Sequence, residues 1–434
     1  MSKPLDVPSG YVPFDPAGLS AWLSGRPALA ARLGGGPADW RIEEVGDGNL
    51  NLVFLVHGPA GGLCVKQSLP YVRVAGESWP LPLERVWFEY RHLAETGPHV
   101  AGLAPALIDY DATLFALVME LLPQHRILRR ALVDGERHPD AVRAVADYAA
   151  RTAVATSVLA EPFDAVFERI GVFARNRALT RITAELVFAD PLMVHARNRW
   201  TSPQLDDMVA GFRADAALRV AVARLGHTFL TRHEALLHGD LHSGSVMVGE
   251  GAASGDTRVI DAEFALYGPI GFDLGAFVAN LLMAHFAQPG HERQAGERAD
   301  FAEELLGQAE QFWHHFALRH EALWRERSQA AVAADAYPPA LFADAAGRAA
   351  LADERRAVCD GIFRDLVGFA GVEIIRRVIG FAHNLDFEAI ADPDRRARSE
   401  RAALRLARLL LLEPAAFATI EDLSAAARAT PPGP

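Results

Sequence analysis

Three acidic residues in a loop-rich stretch, residues 237–273, are the strongest candidates for chemistry in this sequence. Asp240 follows a glycine, and Asp261 and Glu263 come later, directly after a strand-like run. Because residues i and i+2 at the end of a strand share a face, we expect Asp261 and Glu263 to bind one hard divalent cation together. Asp240 stands apart and is the candidate that orients an attacking hydroxyl or accepts its proton.

Two histidines and a fourth acid accompany these residues. His238 and His242 have the i, i+4 spacing of a zinc pair on a helix. However, Gly239 and the loop composition argue against a helix, and no third ligand has a recognisable spacing, so we rank zinc below the carboxylate site. Asp273 is expected either to cap the next helix or to anchor the loop that carries Asp240. Helix capping is also the structural alternative for each of the other acids.

A lysine indicates a second charged site. The chain has 43 Lys and Arg residues, of which only Lys3 and Lys66 are lysines. Lys66 lies on a strand-like run near a glycine-containing turn, residues 46–51 (GDGNLN), whose backbone N–H groups can approach an anion such as a phosphate. A compact ammonium fits beside phosphates where a wide guanidinium fork would not. A plain hairpin turn and a solvated lysine are the alternatives.

The helical pattern that follows Lys66 offers it a partner. Residues 81–96 are amphipathic and carry Glu84 and Glu89, with Glu89 one turn into the apolar face. We therefore expect Lys66 to pair with Glu89. Glu84 is the alternative, and a solvated helix carboxylate is the structural reading of either residue.

Strand patterns dominate the first third of the chain, and helix patterns dominate the rest. Two apolar runs joined by a glycine-rich loop predict an antiparallel hairpin of residues 52–56 and 63–67. Further strands are predicted at 40–45 and 113–122, and helices at 81–96, 141–159, 178–188, 215–232, 275–287, 300–324, 360–382 and 396–412. The pattern indicates an α+β fold divided near residue 123, with domains of residues 1–122 and 123–434.

The composition excludes several classes of protein. A chain of 434 residues favours two domains, and a formal charge of −12 argues against nucleic acid or an anionic membrane as the main partner. Two cysteines exclude a disulfide-stapled domain. The sequence has neither a signal-peptide pattern nor an apolar run long enough to span a membrane, so the cytoplasm is the expected location.

Several motifs resemble those of known small-molecule kinases. The pattern HGDLH followed by ID-x-E is similar to the signature of the aminoglycoside phosphotransferase and choline kinase group. The stretches GDGNLN, CVKQS, VRVAGESWPLPLERVWFE, HGDLHSGSVMV, VIDAEFALYGPIGFDLGAFVANLLMAHFAQ and GVEIIRRVIGFAHNLDF look like the methylthioribose kinase family, from about residue 46 to residue 387. The resemblance implies a protein-kinase-like two-lobe fold, with a small β-rich N-terminal lobe and a large, mainly helical C-terminal lobe.

The resemblance also implies a reaction and roles for residues. The protein would use ATP and Mg²⁺ to phosphorylate the 1-hydroxyl of 5-methylthioribose, and it would be a homodimer. Asp240 would bind that hydroxyl as the catalytic base, Asp261 and Glu263 would hold Mg²⁺, and Arg376 and Arg377 would reach the sugar. The nucleotide would contact Gly48, Asn49, Lys66, Glu89, Glu120, Leu121, Leu122, Asp261, Ala262 and Glu263, with residues 120–122 as the hinge that receives the adenine and Trp79 in a nearby loop.

Two residues differ from those expected by comparison with related small-molecule kinases. Ser245 stands where many relatives have an asparagine metal ligand, which weakens a generic aminoglycoside kinase reading, and Ala262 stands where we expect proline. The alternatives are another small-molecule kinase of the same fold, of the choline, homoserine or aminoglycoside type, or a non-catalytic nucleotide-binding relative.

Overall fold

The computed structural model describes residues 7–46, 50–73, 76–327 and 335–432, so Gly48 and Asn49 lie outside the described residues. The strands are β1 (Arg41–Glu44), β2 (Asn51–His57), β3 (Gly62–Ser68), β4 (Tyr71–Val72), β5 (Gly76–Pro80), β6 (Leu107–Asp111), β7 (Ala116–Glu120), β8 (His125–Ile127), β9 (Ala235–Leu237), β10 (Val246–Gly249), β11 (Thr257–Val259) and β12 (Leu266–Gly268). The helices are α1 (Pro16–Ser24), α2 (Pro27–Leu33), α3 (Arg85–Thr96), α4 (Leu128–Asp134), α5 (Pro139–Ala155), α6 (Phe163–Phe173), α7 (Arg177–Phe188), α8 (Asp206–Ala214), α9 (Ala216–Thr231), α10 (Gly271–His291), α11 (Ala299–Arg327), α12 (Ala345–Ile379), α13 (Leu385–Glu388), α14 (Pro393–Leu412) and α15 (Ile420–Arg428).

The main sheet has the strand order β1-β2-β3-β7-β6, and each neighbouring pair is antiparallel. β2 and β3 form the predicted hairpin, with Val53 opposite Lys66. Side chains alternate along β3, so Leu63 and Val65 enter a core with α1 and α2, and Lys66 points to the other face, where it meets α3. The sequence did not predict α1 or α2, because helices of 9 and 7 residues show too little periodicity.

Helix α3 starts later than predicted. It begins at Arg85 rather than at residue 81, because Pro82 disfavours a helical conformation at Leu81. It ends before Gly97, as predicted. α3 contacts both β3 and the 3-10 turn Ala262–Phe264, so it links the sheet to the acidic stretch of the chain.

The buried helix α10 organises the C-terminal part of the chain. It packs against α11, α12 and α14, and every residue from 271 to 284 is buried. A Cβ atom on Gly275 would lie 2.7 Å from the backbone oxygen of Leu366, so glycine permits the close approach of α10 and α12. Helix α12 begins well before the predicted residue 360, and its last turn carries Arg376 and Arg377.

The stretch 237–273 is more regular than predicted. β10 and β11 form a hairpin that extends to β8, and β12 pairs with β9. These short strands place Asp240 in the turn after β9 and Asp261 in the turn after β11.

The α+β prediction, with a sheet-rich N-terminal part and a mainly helical remainder, is confirmed. The division between residues 122 and 123 stays a prediction. Among the described helices, none has both the length and the apolar character that crossing a membrane requires.

Candidate active site

Lys66 forms ion pairs with two carboxylates from distant parts of the chain. Its Nζ lies 2.7 Å from Oε2 of Glu89 on α3, and it also contacts Oδ1 of Asp261. Lys66 and Glu89 are buried, whereas the side chain of Asp261 is 46% exposed. Glu84 lies at the N-cap of α3, and Lys66 pairs with Glu89 instead, so the predicted choice between the two glutamates is confirmed.

This cluster holds more negative than positive charge. Burial by itself would lower the pKa of Lys66, but the carboxylates of Asp261, Glu89 and Glu263 outweigh it and raise that pKa well above its usual value. Burial raises the pKa of Glu89 to about 7, although Lys66 opposes the shift. Three carboxylates act on Lys66, and Arg85 beside Glu263 supplies a second positive charge, so the cluster has one more acid than it has bases and favours the entry of a cation.

The prediction that Asp261 and Glu263 share the face of a strand is wrong. β11 ends at Val259, Asp261 has a left-handed backbone (φ 74°), and Glu263 lies in the 3-10 turn. The turn carries Glu263 into the interior, where it is 3% exposed. Asn51 Nδ2 donates to Glu263 Oε2 at 2.8 Å, while the side chain of Asp261 remains partly exposed.

Arg85 and Asn51 support Glu263, and the sequence analysis missed both. Arg85 Nε lies 3.7 Å from Glu263 Oε2 and donates to Asn51 Oδ1 at 2.8 Å. The other Arg85 donors bond the backbone oxygens of Leu50, Leu69 and Pro82. The available signal was that Arg85 lies four residues before Glu89, and therefore on the same face of α3.

Asp240 is held by two arginines and a histidine. Arg376 Nη1 and Nη2 each lie 3.3 Å from Asp240 Oδ1, and Arg377 Nη2 lies 3.5 Å from the same oxygen. His242 Nε2 is 3.3 Å from Oδ2. Arg377 is buried, and the side chain of Arg376 is 11% exposed. The aspartate side chain keeps 20% exposure, which leaves it accessible to a small ligand.

The partners of Asp240 keep it ionised. Burial alone would raise its pKa, but His242, Arg376 and Arg377 hold the pKa well below its ordinary value. Burial lowers the pKa of His242 to about 4, so the imidazole is neutral at pH 7. The Gly244 N–H donates to His242 Nδ1, which assigns the ring proton to Nε2, where it can donate to Asp240.

Asp273 anchors the loop that carries Asp240. Its carboxylate accepts the backbone N–H groups of His238 at 2.7 Å and Gly239 at 3.0 Å, whereas α10 begins two residues earlier, so Asp273 is an anchor and not an N-cap. Gly239 has a φ of 84°, and a Cβ there would lie 2.3 Å from the Phe264 oxygen. His238 Nε2 bonds the oxygen of Ile260, and its Nδ1 accepts the Asp240 N–H, so the zinc alternative is wrong.

A glutamate on α12 holds the arginine pair, and the sequence analysis had given it no role. Glu373 Oε1 lies 2.6 Å from Arg377 Nε, and its Oε2 lies 3.0 Å from Arg376 Nη1. The i, i+3 and i, i+4 spacing of the three residues was the available signal.

The remaining candidates lie around this centre. Glu120 accepts the Ala106 N–H at 3.0 Å and pairs with Arg258 at 3.1 Å, and Leu121 packs close to Gly62 on β3. Leu122 follows at the end of β7, and Ala262 is buried in the 3-10 turn. Ser245 Oγ donates to the backbone oxygen of Asp240 at 2.9 Å. Trp79 on β5 packs against Phe381, with ring centroids 5.6 Å apart.

Sequence comparison identifies the class of the protein as a phosphotransferase. Residues 41–313 match the phosphotransferase enzyme family described as APH. Methylthioribose kinase 2 of Oryza sativa subsp. japonica is 39% identical over 419 residues, which cover 95% of each chain. The methylthioribose kinase of Escherichia coli O45:K1 (strain S88 / ExPEC) is 37% identical over 97% of this chain and 99% of its own. The chain belongs to the methylthioribose kinase family, and it is a kinase enzyme with ATP as co-substrate.

Among solved structures, a glucosamine kinase in complex with glucosamine, ADP and inorganic phosphate aligns over 91% of this chain and 85% of its own, with 15% identity and a TM-score of 0.43.

Proposed function

We propose that this protein transfers the γ-phosphoryl group of ATP to the 1-hydroxyl of 5-methylthioribose, giving 5-methylthioribose 1-phosphate and ADP. The observation that carries the proposal is the 39% identity to a methylthioribose kinase along 95% of the chain. The assembly of Lys66, Asp240 and the two arginines supports it, because it supplies groups for a phosphate, a hydroxyl and a polar sugar.

The nucleotide lies against β3 and the turn before β2 in this proposal. Lys66 contacts its phosphates, and Glu89 positions the ammonium. Gly48 and Asn49, which lie outside the described residues, contact the same phosphates in this proposal. The segment Glu120, Leu121 and Leu122 receives the adenine, because it begins at the last residue of β7, the neighbour of β3.

Asp261 and Glu263 suit a Mg²⁺ ion by their chemistry. Carboxylate oxygens are the ligands this ion prefers, and the excess of acids around Lys66 disfavours the cluster without a further cation. The Asp261 side chain is partly exposed, Asn51 and Arg85 orient Glu263, and Ala262 lies between the two acids in the sequence. When bound, Mg²⁺ neutralises phosphate charge during the transfer.

Asp240 orients the sugar hydroxyl for in-line attack and receives its proton. The lowered pKa keeps Asp240 ionised at every pH at which the enzyme is expected to work. A carboxylate with a lowered pKa is a weak base. This suits phosphoryl transfer, in which positioning of the hydroxyl contributes more to the rate than early removal of its proton. Arg376 and Arg377 present donors beside the same carboxylate, where they can bind sugar hydroxyls or the charge of the product phosphate.

The arginine pair disfavours the choline type of substrate. Asp240 and Glu373 are already paired with the two arginines, so the described part of the site offers a cationic amino alcohol no free carboxylate to bind. The intact set of Lys66, Asp240 and Asp261 disfavours a non-catalytic relative.

A coupled ADP-release assay tests the proposal with methylthioribose, choline, homoserine and kanamycin as acceptors. We expect turnover with methylthioribose alone. Asp240→Asn should reduce kcat by about 10³-fold while ATP binding, measured by calorimetry, stays near that of the wild type. Turnover with any of the other acceptors and none with methylthioribose would refute the assignment.

Two further properties belong to the same proposal. We infer a homodimer from the family resemblance, to be tested by sedimentation equilibrium. We place the enzyme in the cytoplasm because the reaction consumes ATP.

A further inference from the structure

A second cleft adjoins the site described above through Arg85 and Asn176. It has a volume of about 420 Å³ and opens between the residues that lead into α3 and the start of α7. One wall is apolar and buried, formed by Leu81, Phe88 and Leu179. Among the described residues that line it are none of the groups that pair with Lys66 or Asp240. Its size is within the range of pockets that hold small organic ligands.

The cleft is lined by more arginines than acidic residues. Arg175 and Arg177 line it, both are exposed, and within the described parts of the chain neither forms an ion pair. The Arg175 guanidinium lies 5.2 Å from the centre of the Trp87 ring. Glu84 is the one acidic residue among the described lining residues. The rim is therefore locally positive on a protein whose formal charge is −12.

We propose that this cleft binds a small organic anion with an apolar body, such as an aryl or alkyl phosphate or carboxylate. A guanidinium group binds an anionic oxygen group with paired, charge-assisted hydrogen bonds, which a neutral ligand cannot match. The apolar wall removes the body of the ligand from water, which favours an organic anion over inorganic phosphate. A cation would be repelled by the same two arginines.

Two of the residues that line the cleft are unsuitable as test variants for anion binding. Arg85 and Asn176 also line it, but both support Glu263: Asn176 Nδ2 donates to the Glu263 backbone oxygen at 2.9 Å, and Arg85 lies beside its carboxylate. Changing them would disturb the proposed cation site. Arg175 and Arg177 contact neither that site nor Asp240, so their removal should leave kcat unchanged.

The test is a calorimetric titration with phenyl phosphate on the full-length protein saturated with ADP, so that the nucleotide cleft is filled. We expect one molecule to bind per chain. The double variant R175Q/R177Q should weaken binding at least about tenfold, which corresponds to the loss of two charged hydrogen-bonding groups. The matched control is R219Q/R224Q, which removes two exposed arginines of α9 and should bind as the wild type does.

Two single variants test whether the cleft prefers an anion and whether the body of the ligand lies inside the cleft. Glu84→Gln should tighten binding of phenyl phosphate, because it removes the opposing charge. Ala178→Leu should weaken it, because the larger side chain fills the cleft that Ala178 lines. Benzyl alcohol, which has the ring without the charge, should not bind, and inorganic phosphate should bind more weakly than phenyl phosphate.

Tryptophan fluorescence provides an independent readout. An anion that draws Arg175 from the Trp87 ring should change the emission, and Trp87→Phe should abolish that change while the calorimetric heat remains. The proposal is overturned if phenyl phosphate fails to bind, if R175Q/R177Q binds it as tightly as the wild type, or if ADP displaces it. None of these measurements depends on turnover, so the result is independent of the acceptor that the kinase uses.

Discussion

Lys66 is surrounded by more negative charge than it can neutralise. It pairs with Glu89 and Asp261, and Glu263 also raises its pKa. Its side chain is 8% exposed, so these charges interact with little screening by water. The arrangement explains the use of lysine in a chain whose other basic residues, apart from Lys3, are arginines: a compact point charge can meet two carboxylates and a phosphate at one place.

The substitution Lys66→Arg keeps the charge but changes its shape. We expect kcat/KM for ATP to fall by roughly 10²-fold or more, because a planar fork between Glu89 and Asp261 cannot present the same point charge to phosphates. The measurement is steady-state kinetics with ATP as the varied substrate. Lys3→Arg is the matched control and should behave as the wild type. Wild-type kinetics in Lys66→Arg would show that the site needs only a positive charge.

Two helices, α3 and α12, set the spacing of the charged groups in the site. On α3, Arg85 and Glu89 are four residues apart, so one face of the helix supports Glu263 and Lys66 together. On α12, Glu373 holds Arg376 and Arg377 by the same helical spacing and directs both towards Asp240. The positions of these groups therefore follow from the placement of two helices.

Glu373→Gln tests the role of α12 as a support for the arginines. The amide cannot accept charge-assisted bonds from both guanidinium groups, so we expect KM for the sugar substrate to rise about tenfold. KM for ATP should remain within about twofold of the wild type, since the nucleotide is proposed to bind at Lys66. Glu354→Gln, an exposed change on the same helix, is the control. An equal rise in both KM values would assign Glu373 a purely structural role.

The 3-10 turn at Ala262–Phe264 explains why the relative positions of Asp261 and Glu263 could not be predicted from the sequence. A strand ending at residue 261 would have placed Asp261 and Glu263 side by side. The chain instead leaves β11 at Val259 and tightens into a 3-10 turn, where α3 packs against it. The side chain of Glu263 then lies beside Asn51 and Arg85. These contacts join distant parts of the chain, so no local pattern near residue 263 could have indicated them.

Buried acids elsewhere make the stability of the whole molecule depend on pH. Glu400 on α14 is 1% exposed, and its Oε2 has no hydrogen-bond partner within the described residues. Burial raises its pKa to about 7 from the model-peptide value of 4.5. Between those two values the folded protein keeps a proton that the unfolded chain releases. The contribution of Glu400 to the free energy of unfolding therefore falls as pH rises from about 4.5 to about 7.

Glu400→Gln removes this dependence. At pH 8 the variant should be more stable by up to about 3 kcal/mol, or about 3 °C in Tm for a chain of this size, because an uncharged amide need not ionise in the core. At pH 5 the gain should nearly vanish. Thermal unfolding at the two pH values measures the difference, with Glu413→Gln as an exposed control on the same part of the chain. A gain that is equal at pH 5 and pH 8 would contradict the raised pKa.

The sequence by itself determined which groups are available for chemistry. Lys66, Asp240 and Asp261 stand out because each lies in a short motif whose residue types suit one task, and such motifs are local. The hairpin, the buried helix α10 and the α+β class followed from periodicity for the same reason. The short helices α1 and α2 had too few residues to show a pattern.

Only the tertiary structure decided which of these groups meet. Lys66 and Asp261 are 195 residues apart in the chain, Asn51 and Glu263 are 212 apart, and Arg376 and Asp240 are 136 apart. Contacts over such separations depend on how the sheet, α3 and α12 pack, and packing is a property of the whole core rather than of any one segment. Arg175 and Arg177 form no ion pair within the described residues, and the sequence could not show this because the partner of a charge can come from any distant segment.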